Sequence, residues 1–227
     1  QTRPAARSRP VACAIAAPRG PTYVNLDAEM QESKLQDAVP AIDNKRFMPP
    51  VAGAAPSATI KQAADLLRGA KQPVILAGRT SRDVEAWNKR VALAERLNAR
   101  VVTDLKIAAS FPTSHYLHAG APGGTVLAPE AADAIRAADV ILSLDWLDPA
   151  GTFKAVGNVG AKVIQVSVDH HLHNGWSMDY QGLPPVDVFI DCEPDVAVPP
   201  LLEALGLGPA RAAPGRAKEF PKPAGDK

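Results

Sequence analysis

Apolar residues in this chain fall into short unbroken runs separated by stretches with helical spacing. Pro73-Val74-Ile75-Leu76-Ala77 is the clearest run, and it stops at Gly78. A strand with one wet face alternates apolar and polar side chains; a continuous run closed by glycine predicts a strand buried on both faces. Val101-Val102-Thr103, Val140-Ile141-Leu142-Ser143-Leu144, Val163-Ile164-Gln165-Val166 and Val188-Phe189-Ile190 repeat the pattern. Between them lies helical periodicity. Ile60, Ala63, Ala64 and Leu67 form one stripe, with Thr59 and Gln62 spaced as a capping box and Gly69 as the stop. Val84, Trp87, Val91, Ala94 and Leu97 form a second, with Ser81 or Asp83 as cap and Asn98 as stop. Pro129 opens a third, through Ile135 to Ala138. Leu201, Leu202 and Leu205 mark a last helix stopped by Gly206, and Pro199-Pro200 predicts that it starts or kinks there. Residues 104–128, 145–161 and 169–185 read as loops.

Strands of this kind with helices between them predict an α/β fold, a doubly wound, Rossmann-like parallel sheet. Such sheets bind ligands at the carboxyl ends of their strands. Gly78-Arg79-Thr80 joins the first strand to a helix N-terminus, where free N–H groups attract phosphate. Gly120 and Gly123 lie in a loop whose backbone a ligand can approach. Asp145 and Asp169 end strands, as does Asp104, and an acidic strand end suits either a ribose hydroxyl or the cap of the next turn. The candidate contacts, for a nucleotide, are therefore Gly78, Arg79, Thr80, Gly120, Gly123, Asp145 and Asp169. Neither G-x-G-x-x-G nor a P-loop is present. No order of residues suggests a catalytic pair. His170, His171 and His173 lack a separated ligand pair, so they read as a solvated loop rather than a metal site.

Composition narrows the class. The chain is 46% hydrophobic and 22% charged with a net charge of +1, which suits a packed core and argues against nucleic acid as partner. No apolar run approaches the roughly 20 residues of a membrane span. Two cysteines, Cys13 and Cys192, imply neither a disulfide framework nor a zinc site, and a cytoplasmic setting is the expectation. More than half of the 22 prolines fall in residues 1–56 and 207–227. The centre therefore carries the fold, residues 27–56 read as an extended linker, and the tail from 207 as another. Thr22-Tyr23-Val24-Asn25-Leu26 is β-prone with no partner strand nearby in sequence.

Several segments, taken in order, resemble one family. Ala70-Lys71-Gln72-Pro73-Val74-Ile75-Leu76-Ala77-Gly78 resembles the "AKRPVILAG" opening of the central domain of thiamine-diphosphate-dependent enzymes, which include acetolactate synthase and benzoylformate decarboxylase. Leu93-Ala94-Glu95-Arg96-Leu97, Ser110-Phe111-Pro112 with His115, Gly120 with Gly123, Ala138-Asp139-Val140-Ile141-Leu142 and Lys162-Val163-Ile164-Gln165-Val166 with Asp169 are similar to its later motifs. Upstream, Gly20-Pro21-Thr22-Tyr23-Val24-Asn25-Leu26 resembles the end of the family's pyrimidine-binding domain.

The resemblance implies a central domain at 57–206, of the NAD/FAD-binding type. Residues 1–26 would close the preceding domain, and 207–227 would lead to a cofactor domain. Thiamine diphosphate and magnesium would belong to the full-length parent, a homo-oligomeric lyase or transferase acting next to a carbonyl. This chain alone would be non-catalytic, partnered by the parent's other domains. Five places depart from the family's pattern: Arg79-Thr80 in its glycine triplet, Ala121-Pro122 in its "GMHG" loop, which lacks the histidine, Ile107-Ala108-Ala109 for its "GKG", Asp145 where a glycine ends the third strand, and Ser167 for the first Asp of its "IDID". The departures leave FAD or ADP binding open beside a domain kept as scaffold. The alternative is a free-standing nucleotide-binding module for FAD, NAD or ADP.

Overall fold

The computed structural model describes residues 12–17, 20–25, 27–34, 43, 52–120, 127–170 and 182–206. The chain divides into two units, residues 1–52 and 53–227. In the first, residues 12–15 are helical and a one-turn helix α1 spans Ala28–Glu32, within the stretch expected to be extended throughout. Residues 20–25 form no strand, and Tyr23 is 92% exposed.

The second unit holds a parallel five-stranded sheet: β1 (Pro73–Ala77), β2 (Arg100–Thr103), β3 (Val140–Leu144), β4 (Lys162–Val166) and β5 (Val188–Ile190). Its order is β2-β1-β3-β4-β5, so the chain reverses direction across the sheet between β1 and β3. Register is continuous through the centre, with Ile75 opposite Leu142 and Leu142 opposite Ile164. The unbroken apolar runs have their explanation in the two cores. Ile75, Ala77, Leu142, Leu144, Ile164 and Val166 face one side, under α2 (Ser57–Gly69), α3 (Val84–Leu97) and α6 (Pro194–Leu205). Val74, Leu76, Ile141 and Val163 face the other, under α4 (Pro129–Ala137) and α5 (Pro149–Val156). Each strand buries alternate side chains in opposite layers, so both parities must be apolar.

The strands and the buried stripe of α2 match the sequence expectations. Four local readings need correction. Thr59 forms no capping box: Pro56 stands at the cap, and the Thr59 hydroxyl donates to the Pro56 carbonyl at 2.8 Å. The inner face of α3 is rotated from the expected one. It buries Arg90, Leu93, Ala94 and Leu97, and Val84 is 72% exposed. Asp83 is the cap of this helix, accepting from Ala86 N, and Asn98 ends it at φ 49°. The stretch 145–161 is not all loop but contains α5, started by Asp148, which accepts from Gly151 N at 2.9 Å, and by Pro149. The last helix begins at Pro194 and runs through Pro199 and Pro200, which remove the N–H groups that would reach the carbonyls of Asp195 and Val196.

Candidate functional site

The reversal between β1 and β3 is where a doubly wound sheet of this strand order takes a ligand, at the carboxyl edge. Gly78 ends β1 there, and its amide donates to the Leu144 carbonyl at 3.0 Å; Arg79 N follows with a bond to the Asp145 carbonyl at 2.9 Å. The two strands thus remain paired beyond their formal ends. A Cβ on Gly78 would lie 2.2 Å from Asp145 O and 2.6 Å from Trp146 Cα. The glycine is required by the neighbouring backbone.

Arg79 closes the edge further. Its Nη2 sits 2.9 Å from Asp145 Oδ1 and 2.9 Å from Asp169 Oδ2, linking the ends of β1, β3 and β4. The Ser167 hydroxyl donates to Asp145 Oδ1 at 2.5 Å and accepts from Asp169 N at 2.8 Å. Asp145 adopts φ 54°, a left-handed conformation that aspartate tolerates better than most residues. Burial alone would lower the Arg79 pKa; the charges and hydrogen bonds of Asp145 and Asp169 outweigh it and hold the guanidinium above its ordinary value. One cation with two carboxylates leaves the cluster with no surplus positive charge for a phosphate. Arg79 and Ser167, two of the positions that depart from the family's motifs, both bond the side chain of a third, Asp145.

The remaining candidates are dispersed. Thr80 N bonds back to the Gly78 carbonyl at 2.8 Å. Gly120 adopts φ 112°, beside Ala128 and Glu130. Gly123, His171 and His173 lie outside the described residues. Asp104 caps a turn, accepting from Lys106 N at 2.8 Å. His170 lies 3.3 Å from Asp191 and packs edge-on against Phe189. His118 is buried, its Nε2 2.9 Å from Thr103 Oγ1 at the end of β2.

A second cluster was not foreseen. Arg90 is 2% exposed. Its Nη1 pairs with Asp195 Oδ1, its Nη2 donates to Ser81 O at 2.9 Å, and its Nε donates to Ser110 O at 3.1 Å. Asp195 Oδ2 accepts from Ser81 N at 2.7 Å. Helical spacing carried a signal: Arg90 lies three and four positions before Leu93 and Ala94, on the buried stripe. Which partners would neutralise it was not readable from spacing.

Comparison with known proteins agrees with this architecture. The family model described as "Thiamine pyrophosphate enzyme, central domain" matches residues 60–176. A sulfoacetaldehyde acetyltransferase from Alcaligenes xylosoxydans xylosoxydans is 33% identical over 156 residues, covering 66% of this chain and 25% of that protein. The acetolactate synthase large subunit of Corynebacterium glutamicum is 33% identical over 135 residues, 58% of this chain and 21% of that protein. The chain thus spans about a quarter of the length of these curated relatives. The benzoylformate decarboxylase of Polynucleobacter necessarius shares the fold, with a TM-score of 0.59 at 22% identity over 92% of this chain and 37% of that one. With its family match covering just over half its length, the chain belongs to the central domains of thiamine pyrophosphate enzymes.

Proposed function

We propose that this chain serves as the non-catalytic middle domain of a larger thiamine-diphosphate-dependent enzyme, one that makes or breaks a carbon–carbon bond next to a carbonyl. The observation that carries the reading is the family match over residues 60–176, on a sheet whose carboxyl edge is closed by the chain's own ion pairs. Thiamine diphosphate with magnesium needs oxygen ligands that converge on a cation. Among the described residues no three His, Cys, Asp or Glu side chains converge in that way. The two carboxylates at the edge, Asp145 and Asp169, are both engaged by Arg79. The described residues do not fit the cofactor, and no chemical step is assigned to them.

On this reading cofactor and magnesium are bound by other domains of a homo-oligomeric, cytoplasmic parent, with residues 1–26 and 207–227 leading to those domains. No helix among the described residues is long and apolar enough to cross a membrane. The free-standing nucleotide module is not favoured, because family membership accounts for the same sheet and Arg79 fills the edge that a diphosphate would need. The encoding gene tests the proposal. The reading frame is expected to continue past Lys227 into a segment with the family's Gly-Asp-Gly…Asn signature; a stop codon directly after Lys227 would refute it.

A further inference from the structure

The loop after β2 is held in a conformation its own sequence does not favour. Ala109 adopts φ 58°, where its Cβ crowds the backbone and where it has no polar group to compensate. Such a residue persists only when its surroundings over-determine it. The next residue, Ser110, is buried, and its carbonyl is the one that Arg90 Nε reaches from α3. Beyond it, Phe111 and Leu117 enter the core. The far end is pinned on the free edge of β2, where Val101 N donates to Leu117 O at 2.9 Å and Ala119 N to Val101 O at 2.8 Å. The segment is thus a strap along the sheet edge, fixed at one end by strand pairing, in its middle by Phe111 and the 3.2 Å contact of His115 Nε2 with Glu95 Oε1 of α3, and at Ser110 by the guanidinium. That guanidinium also holds the loop after β1, through Ser81 O, and the first turn of α6, through Asp195.

We propose that Arg90 is a latch that keeps a strained strap closed, and that breaking the latch opens residues 81–83 and 104–116 together while the sheet stays folded. All three guanidinium nitrogens are used, each on a different segment, so a loop that leaves strands a buried N–H of the guanidinium, and loss of Asp195 strands the charge itself. The strain at Ala109 biases the strap towards opening once the Ser110 contact is lost.

Hydrogen exchange read by mass spectrometry tests this on the intact chain. Arg90→Met is expected to speed exchange in residues 81–83 and 104–116 by about tenfold or more, with β1, β3 and β4 at parental rates. Asp195→Asn is expected to do the same to a smaller extent. Ala109→Val should loosen 104–116, since a β-branched residue fits the left-handed region worse, and Ala109→Gly should leave it as slow as the parent or slower. Parental exchange of both loops in R90M, or an equal rise across the strands, overturns the latch. Should R90M fail to fold, the Ala109 pair decides: faster exchange in A109G than in A109V contradicts a strained strap, and the opposite order supports it.

Discussion

Gly78 and Gly69 make opposite predictions about one added methyl group. At Gly78 the Cβ would lie 2.2 Å from the backbone oxygen of Asp145, which cannot swing aside without breaking the β1–β3 pairing. Gly78→Ala is expected to cost about 3 kcal/mol, or to prevent folding. At Gly69, the last residue of α2, nothing lies within 4 Å, and Gly69→Ala is expected to change stability by less than about 1 kcal/mol. Urea unfolding of the two variants checks both. The cysteines also differ. Burial, then the charges of Asp191 and Glu193, push the Cys192 thiol up to about 11. A maleimide at pH 7.5 should therefore modify the exposed Cys13 about a hundredfold faster or more; equal rates would show that Cys192 is open to solvent. His118 sets a pH dependence. Burial, then the Arg100 cation, hold its imidazole below the ordinary histidine value. A depressed pKa contributes stability above the unfolded value, about 6.5, that is lost as pH falls through the folded one. The melting temperature should fall from pH 7 towards 5, and His118→Gln should flatten that slope. The Asp187 carboxyl, held low first by its hydrogen bond to Lys162, acts only below its ordinary value of 3.8 and cannot mimic the effect. An unchanged slope in the variant contradicts the role of His118.

At the scale of elements, what was legible in the sequence tracked what burial alone decides. The strands were read correctly because residues such as Ile75 and Leu76 enter opposite cores, which leaves an unmistakable run. The α2 stripe was legible for the same reason. The miss at α5 was a miss of turn chemistry, since Asp148-Pro149 is a cap followed by proline at the first helical position, a signal present but unused. The face of α3 departs from apolar spacing because a charged residue, Arg90, lies on it, tolerable only through partners 9, 20 and 105 residues away. The edge cluster was half legible. Arg79, Asp145 and Asp169 were named singly as candidates for a nucleotide. That they satisfy one another depends on β3 lying beside both β1 and β4, which no local pattern reports. Arg79→Ala would leave Asp145 buried beside Asp169 without its cation, and a loss of about 1–2 kcal/mol is expected, moderated by the partial exposure of the pair. A double-mutant cycle with Asp145→Asn measures it, and a coupling near zero contradicts the linkage.

At the scale of the whole molecule, the folded sheet and the preceding unit should behave differently. Thr22, Tyr23 and Val24 are strand-forming residues, yet residues 20–25 form no strand and Val24 is 51% exposed, whereas the sheet residues of the second unit are almost wholly buried. Amide exchange in residues 12–34 should outpace that of β1, β3 and β4 by orders of magnitude, and comparable protection would mean that the first unit has a stable fold of its own. On the proposed reading the domain is a scaffold whose ligand edge is occupied by the guanidinium of Arg79. Calorimetric titration of the purified chain with FAD, and with ADP in parallel, tests it most directly. The prediction is no saturable heat for either nucleotide at concentrations up to about 100 μM, a weakness equivalent to less than about 5.5 kcal/mol of binding free energy. Saturable FAD binding at micromolar concentration or tighter would contradict it.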